Sequence, residues 1–233
     1  MHLRLAGRFA LIGATGLALG SVALAQGSKS PPPPQSWSQT VTKEQGGEGQ
    51  EFSAKQLELI QKVTKYFNEM GDVKGTFAQI NADGKRLRGR YYLKRPGKFR
   101  FEYASPSRQI IVSDGKYMAV QDHDLKTDDR YGLDQTPFRV LLRKDVDLLK
   151  DAKILEVGEI DDRIVLALQD KSPDTVGRIK LFLQRKQPHD LKEWITTDAQ
   201  GLDTRVELNE VLKVDDLDAG LFVPPPIALQ KIQ

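Results

Sequence analysis

The chain has no cysteine, only three histidines, and an aromatic content of 7% over 233 residues. Without cysteine it forms no disulfide and offers neither a thiolate nucleophile nor a soft metal ligand. Beyond the first 25 residues only His123 and His189 remain. Neither stands beside a G-x-S-x-G, an H-E-x-x-H or a phosphate-binding loop. These absences argue against an enzyme, and they imply no cofactor and no catalytic residues. Carboxylates are plentiful but lie beside turns or on alternating outer faces. The run Asp122, His123, Asp124, Asp128, Asp129 invites a metal reading. Yet Lys126 and Thr127 stand where a calcium loop requires an oxygen donor and a glycine, so this is a solvated turn and no metal site is expected. Charge is nearly balanced, with 35 Lys+Arg against 32 Asp+Glu, which is not the balance of a nucleic-acid-binding protein.

Hydrophobic runs long enough to cross a bilayer are also missing after the first segment. Residues 1–25 read as a secretory signal: Arg4 and Arg8, an apolar region from Phe9 to Leu24, then the small-x-small site Ala23-Leu24-Ala25. Gly13, Gly16, Gly20 and Ser21 interrupt the apolar run, which favours cleavage near Ala25 over membrane anchoring. Cleavage removes two arginines and no acid, taking the formal charge from +3 to +1. The next residue is Gln26, not a cysteine to be lipidated, so a soluble exported product is expected. Residues 26–52, with Pro31 to Pro34 and Gly46-Gly47, have too little apolar content to fold and read as a disordered spacer. The folded domain is then 53–233. It is held by core burial alone, which its size allows.

Within that domain Ser53 and Gln56 form a capping box. Leu57, Ile60, Val63, Phe67 and Met70 follow at helical spacing, and Gly71 ends the run. Residues 73–80 read as a strand with Phe77 facing inward, and Ala82-Asp83-Gly84 as a turn. Next, Leu87, Gly89, Tyr91 and Leu93 face one way and Arg86, Arg88, Arg90 and Lys94 the other, the alternation of a half-buried strand. Arg95 falls on the apolar side, just before Pro96-Gly97, so its guanidinium needs a partner. Phe99, Phe101 and Tyr103 then alternate with Arg100 and Glu102, so Phe77, Tyr91, Leu93, Phe99 and Phe101 share inward parity. A hairpin over 110–112 and 117–120 turns at Asp114-Gly115, a dipeptide suited to a type I′ turn. Thr136 is placed to cap a short helix opening with Pro137 and carrying Phe138, Leu141 and Leu142 on its apolar side. A second amphipathic piece spans 146–149. Strands are expected at 154–160, 164–168, 179–183, 191–197 and 204–212. Consecutive strands with hairpin-length connections after one helix describe an α+β protein with an antiparallel sheet.

The run Gly89-x-x-x-Leu93-Lys94-Arg95-Pro96-Gly97-Lys98-Phe99-Arg100-Phe101, followed by Ile111-Val112-Ser113-Asp114-Gly115-Lys116 and Thr136-Pro137-Phe138, resembles the periplasmic outer-membrane lipoprotein carrier. The likeness runs in order and spacing over 53–226. It implies an open antiparallel half-barrel with a helical lid over its concave apolar face, and acyl chains of lipoproteins as cargo. The inward set Phe77, Tyr91, Leu93, Phe99 and Phe101 would then line a lipid-binding cavity, with Phe99 matching an aromatic cargo contact of the family. Leu57, Ile60, Pro137, Phe138, Leu141 and Leu142 would belong to the lid, and Arg95 would match the arginine that latches it. The partners implied are acylated lipoproteins, an inner-membrane ABC-type release complex and an outer-membrane lipoprotein receptor, met in the periplasm by a monomer with no nucleotide of its own. The alternative is a receptor or lipoprotein sensor of the same fold. The receptor is normally lipidated on a cysteine that this chain lacks, and the sensor carries a second domain for which there is no room.

Overall fold

The computed structural model describes residues 51–227; the expected signal segment and most of the spacer lie outside them. The first element, α1 (Ala54–Glu69), begins at the expected capping box. The Ser53 hydroxyl accepts from the Gln56 amide, and the Gln56 side chain accepts from the Ser53 amide at 2.9 Å. Its buried residues are Leu59, Ile60, Val63 and Phe67, with Leu57 only half-buried. The stripe is therefore rotated slightly toward Leu59, which periodicity did not single out.

Eight antiparallel strands of the sheet then follow as neighbours or hairpin partners: β1 (Asp72–Ile80), β2 (Arg86–Lys94), β3 (Lys98–Tyr103), β4 (Gln109–Asp114), β5 (Tyr117–Asp122) and β6 (Thr127–Gly132) on one side, and after two short helices β7 (Ala152–Ile160) and β8 (Arg163–Asp170) on the other. Those helices are α2 (Arg139–Leu142) and α3 (Leu148–Asp151). The remaining strands are β9 (Arg178–Gln184), β10 (Leu191–Thr197), β11 (Asp203–Leu208) and β12 (Leu212–Val214). The sheet runs β6-β5-β4-β3-β2-β1-β11-β10-β9-β8-β7, with β12 also on β1. It does not close, so this is the open half-barrel that was expected. The helices α1 to α3 cover its concave face, where Phe77, Tyr91, Ile164, Leu166, Leu181 and Leu183 pack with Ile60, Val63, Val140 and Leu148 in one cluster.

Four local expectations are corrected. The 204–212 strand is two, β11 and β12, because the chain leaves β1 at Asn209-Glu210. There the Asn209 amide donates to the Thr76 carbonyl at 3.0 Å and the Tyr91 hydroxyl donates to the Glu210 carbonyl at 2.8 Å. The β4–β5 turn is not type I′: Gly115 alone has a positive φ, +99°, and the Asp114 carboxylate instead accepts from the Lys116 and Tyr117 amides. Thr136 does not cap α2, since its hydroxyl donates to the Leu133 carbonyl at 2.8 Å and closes the preceding 3₁₀ turn, Leu133–Gln135. Asp128 and Asp129 lie on β6, an exposed edge strand, rather than in the turn before it.

The convex face is not bare either. Residues 215–227 cross β3 and β4, burying Leu217 and Phe222. They are tied down by Lys94 to the Leu217 carbonyl at 3.2 Å, Arg100 to the Leu221 carbonyl at 3.1 Å and Gln121 to the Pro225 carbonyl at 3.0 Å. On the other half, Glu156 and Lys180 flank Ala167 on adjacent strands. Their 2.7 Å ion pair spans it, and the Lys180 stem covers apolar surface that water would otherwise reach.

Glycine at position 75 is required by the break between β11 and β12. A Cβ there would sit 1.9 Å from the Glu210 carbonyl oxygen, a backbone atom with nowhere to go. Gly75→Ala should cost at least about 1–3 kcal/mol of stability, as overpacking typically does, read as a lowered midpoint in thermal unfolding. Tyr66, Tyr91 and Tyr103 make a second test. Burial of the ring pushes the Tyr66 phenol up to about 12, opposed by its bond to the Leu191 backbone, and it raises Tyr91 and Tyr103 as well. A phenol kept neutral by folding stabilises the native state fully below its unfolded pKa of about 10 and ceases to as pH rises through the folded value. Stability should therefore fall between about pH 10 and 12, with tyrosinate absorbance from these residues appearing together with unfolding.

Candidate functional site

The concave face is an aromatic floor. Strand alternation brings Phe77 from β1, Tyr91 and Leu93 from β2, and Phe99 and Phe101 from β3 to the same side, and register aligns them, with Tyr91 opposite Phe101 and Leu93 opposite Phe99. Phe77 is 1% exposed, Tyr91 2% and Phe99 5%, while Leu93 and Phe101 are half-buried. The rings interlock edge to face: Phe77 to Phe101 at 5.0 Å, Phe77 to Tyr103 at 5.2 Å, and Phe99 to Phe101 at 6.0 Å between centroids. Trp194 of β10 reaches Phe101 at 6.0 Å and Phe138 at 6.2 Å, and Phe99 lies 6.4 Å from Phe138, so the floor and its cover share two ring contacts. Trp194 and Tyr103 were not among the expected site residues; a bulge between Leu191 and Glu193 turns Trp194 inward together with Leu191, where simple alternation would set the two on opposite sides.

Over this floor lies segment 139–151, built from α2, a short linker and α3. Val140 and Leu141 belong to the larger cluster, and Leu142 packs with Phe99, Met118 and Leu133 in a smaller one. Leu93, Phe101 and Phe138 touch both. Of the other expected cover residues, Ile60 is fully buried, while Leu57 and Pro137 are half-buried at the margin. The space between floor and cover is filled by these side chains.

Polar bonds from distant elements hold the segment. Arg95, just past the end of β2, donates through Nη2 to the carbonyls of Arg143 and Lys144, the latter at 3.1 Å. Its Nη1 is buried with no hydrogen-bond partner. Burial lowers the Arg95 pKa, partly offset by Asp145, and a guanidinium stays charged there. Arg139 pairs with Asp170 at 3.2 Å, a carboxylate at the end of β8 that is 3% exposed and also caps the Ser172 amide. Lys171 reaches the Leu149 and Lys150 carbonyls with Nζ, each at 3.0 Å, and its amide donates to the Asp151 carbonyl. Asn68 of α1 makes a two-way amide pair with Val146, donating to its carbonyl at 3.0 Å and accepting from its amide at 2.9 Å. Within the segment Arg143 pairs with Asp151 at 2.9 Å.

An open concavity of about 840 Å³ lies elsewhere, where Arg88, Arg90, Arg100 and Arg108 meet Ile110 and Pro225. Of the floor aromatics only Phe77 and Tyr103 reach it. What the covered face offers chemically is apolar and aromatic area.

Known proteins resemble this chain in sequence. The family model described as "Outer membrane lipoprotein carrier protein LolA" matches residues 68–225, a stretch that takes in every strand. The outer-membrane lipoprotein carrier protein of Chromohalobacter salexigens is 30% identical over 172 residues, covering 70% of this chain and 78% of its own length. That of Pseudomonas aeruginosa is 28% identical over 183 residues, covering 72% and 85%. Among solved structures, a LolA superfamily protein from Nitrosomonas europaea aligns at 14% identity with a TM-score of 0.42, over 72% of this chain and 97% of the other. An open antiparallel sheet with a covered aromatic floor, matched from the end of α1 to the chain's last prolines, makes this chain a member of the LolA outer-membrane lipoprotein carrier family.

Proposed function

We propose that the protein is a periplasmic chaperone that accepts acylated lipoproteins from an ATP-driven inner-membrane release complex, shields their acyl chains against the aromatic floor and hands them to an outer-membrane receptor. It acts by binding, without catalysis. Family membership supports the carrier role. The observation that carries the mechanism is the floor itself, a wide apolar face covered by a short segment whose fastenings are a handful of polar bonds. In this reading Phe77, Tyr91, Leu93, Phe99 and Phe101 line the cargo site. Segment 139–151, with Leu57 and Ile60 of α1 and Pro137 and Phe138 before α2, is the lid, and Arg95 is its latch. Residues 1–25 are the export signal and 26–52 a spacer ahead of the carrier domain, 53–233.

Energetics explain why a lid is needed. Each buried CH₂ is worth about 0.8 kcal/mol, so several long acyl chains would exceed the ceiling of about 21 kcal/mol for noncovalent binding if fully transferred to a ready-made cavity. A carrier that bound that tightly would never release. A floor occupied by its own lid in the empty state returns much of that energy at handover, because closing over the floor rewards letting go. The Arg95 bonds add to this: each is worth roughly 1.5–3 kcal/mol, since the donor is charged, and cargo must break them.

The test is depletion followed by fractionation, in which lipoproteins bound for the outer membrane should accumulate on the inner one. Unchanged sorting would refute the carrier role. Two substitutions separate the steps. Phe99→Glu should weaken lipoprotein capture more than it lowers the melting temperature, which will fall because a carboxylate is set among buried side chains, and normal capture would move the cargo site elsewhere. Arg95→Leu raises the free energy of the closed empty form and so strengthens net retention. It should load from inner-membrane vesicles yet deliver poorly to the acceptor, and a variant that loads poorly but delivers whatever it loads would rule out the latch.

A further inference from the structure

Segment 139–151 is braced as one body. Arg143 offers its carbonyl to Arg95 at one end and its guanidinium to Asp151 at the other, spanning the linker between α2 and α3. Two of its fastenings converge on a single dipeptide at the end of β8: Asp170 takes Arg139, and Lys171 takes the carbonyls of Leu149, Lys150 and Asp151. Asp170 also pairs in the sheet opposite Ala152, the first residue of β7 and the point where the segment rejoins the strands. The other two fastenings, Arg95 and Asn68, hold the linker between the helices, at Arg143, Lys144 and Val146.

We infer that Asp170 and Lys171 are the pivot of the lid and Asn68 a second catch beside Arg95, so that 139–151 swings as one rigid flap that stays fastened at β8 while cargo is bound. The inference rests on the carrier reading and adds positioning residues to it. A body tied at one end to the sheet and along its middle to Arg95 and Asn68 opens by releasing the middle, because the pivot bonds keep their geometry under rotation while the catches must separate. Asn68 is suited to such a role. Its amide copies a backbone pair with Val146, directional and uncharged, and α1, the part of the cover that stays packed on β7 and β8 while 139–151 swings, gives it a fixed position.

Catch and pivot make different predictions. A bond present only in the closed empty form opposes binding, so losing it tightens cargo; a bond kept in both the empty and the loaded form cancels, so losing it costs stability and leaves cargo affinity unchanged. The probe is a synthetic tripalmitoyl-cysteinyl peptide, read by the fluorescence of Trp194 in a Trp37→Phe background, since these are the chain's two tryptophans and Trp194 touches Phe138. Asn68→Ala should tighten binding about fivefold, the worth of a neutral hydrogen-bond pair. Asn68→Asp, which keeps the acceptor for the Val146 amide, should shift it less in the same direction. Lys171→Met should lower the midpoint of thermal unfolding but leave binding within about twofold of the unsubstituted protein, and Lys171→Arg should recover the midpoint. Asn68→Ala without effect or with weaker binding, or Lys171→Met that shifts binding as far as Asn68→Ala does in either direction, overturns the flap. If the unsubstituted protein does not bind the lipopeptide, the carrier reading fails. The flap is then judged on the empty protein by acrylamide quenching of Trp194: higher access in Asn68→Ala sustains the catch, and unchanged access refutes it.

Discussion

A sheet that curls without closing must cover its inner face, and in this protein the cover is made from the same chain. Phe77, Tyr91, Phe99 and Trp194 would expose a wide aromatic surface if α1 and segment 139–151 were lifted away. The hydrophobic effect therefore drives the helices onto the floor. In the proposed mechanism this attraction has to be reversed whenever cargo enters. The sheet is stiffened independently of the lid by twelve strands in one continuous ladder. On its outer face Glu193 takes both Arg163 and Arg205 at 2.8 Å, and the chain's own C-terminal residues are strapped across β3 and β4. A scaffold stabilised from outside does not depend on its inner cover for rigidity.

The polar fastenings of the lid are few and reach it mainly through backbone carbonyls. Arg95, Lys171 and Asn68 all address main-chain atoms of 139–151, so the side chains of that segment remain free to face the floor. Holding a helix pair by its carbonyls separates two tasks. The apolar side chains set how well the lid fits the empty floor, and the donors set how much must be broken to lift it. The pair Arg139 and Asp170 is the exception, and it sits where the segment rejoins the sheet.

Much of the scaffold was legible in the sequence because strands advertise themselves by period two. Leu87 to Leu93 and Phe99 to Tyr103 declare their inner faces, and the capping box at Ser53 fixes the start of α1 within a residue. Arg95 was legible as a charge stranded on an apolar side. What was not legible was which groups meet across long separations: Asn68 and Val146 are 78 residues apart, and Arg95 and Lys144 are 49 apart. No local pattern encodes such pairs. The split of β11 from β12 was hidden for a related reason, since it depends on a carbonyl of Glu210 pressing into the empty side of Gly75, two positions joined only by sheet register. The β6 strand escaped notice because Thr127 to Arg130 carry no apolar alternation, being exposed on both faces.

Leaving the barrel open also leaves two sheet edges, β6 and β7, and an unpaired edge is a template on which another molecule's strand can grow. The two are guarded differently. Asp128, Asp129 and Arg130 load β6 with charge that a docking strand would have to desolvate, and the edge is short. On β7 the register shifts between Ile154 and Glu156, so a straight incoming strand could not match its bonding pattern over the whole length, and Lys153, Glu156 and Glu159 add charge along it. A protein that must expose grease to hold its cargo thus keeps its colloidal stability in the edges rather than in the cavity, and a single uncharged, bulge-free β7 would turn a carrier into the seed of its own aggregate.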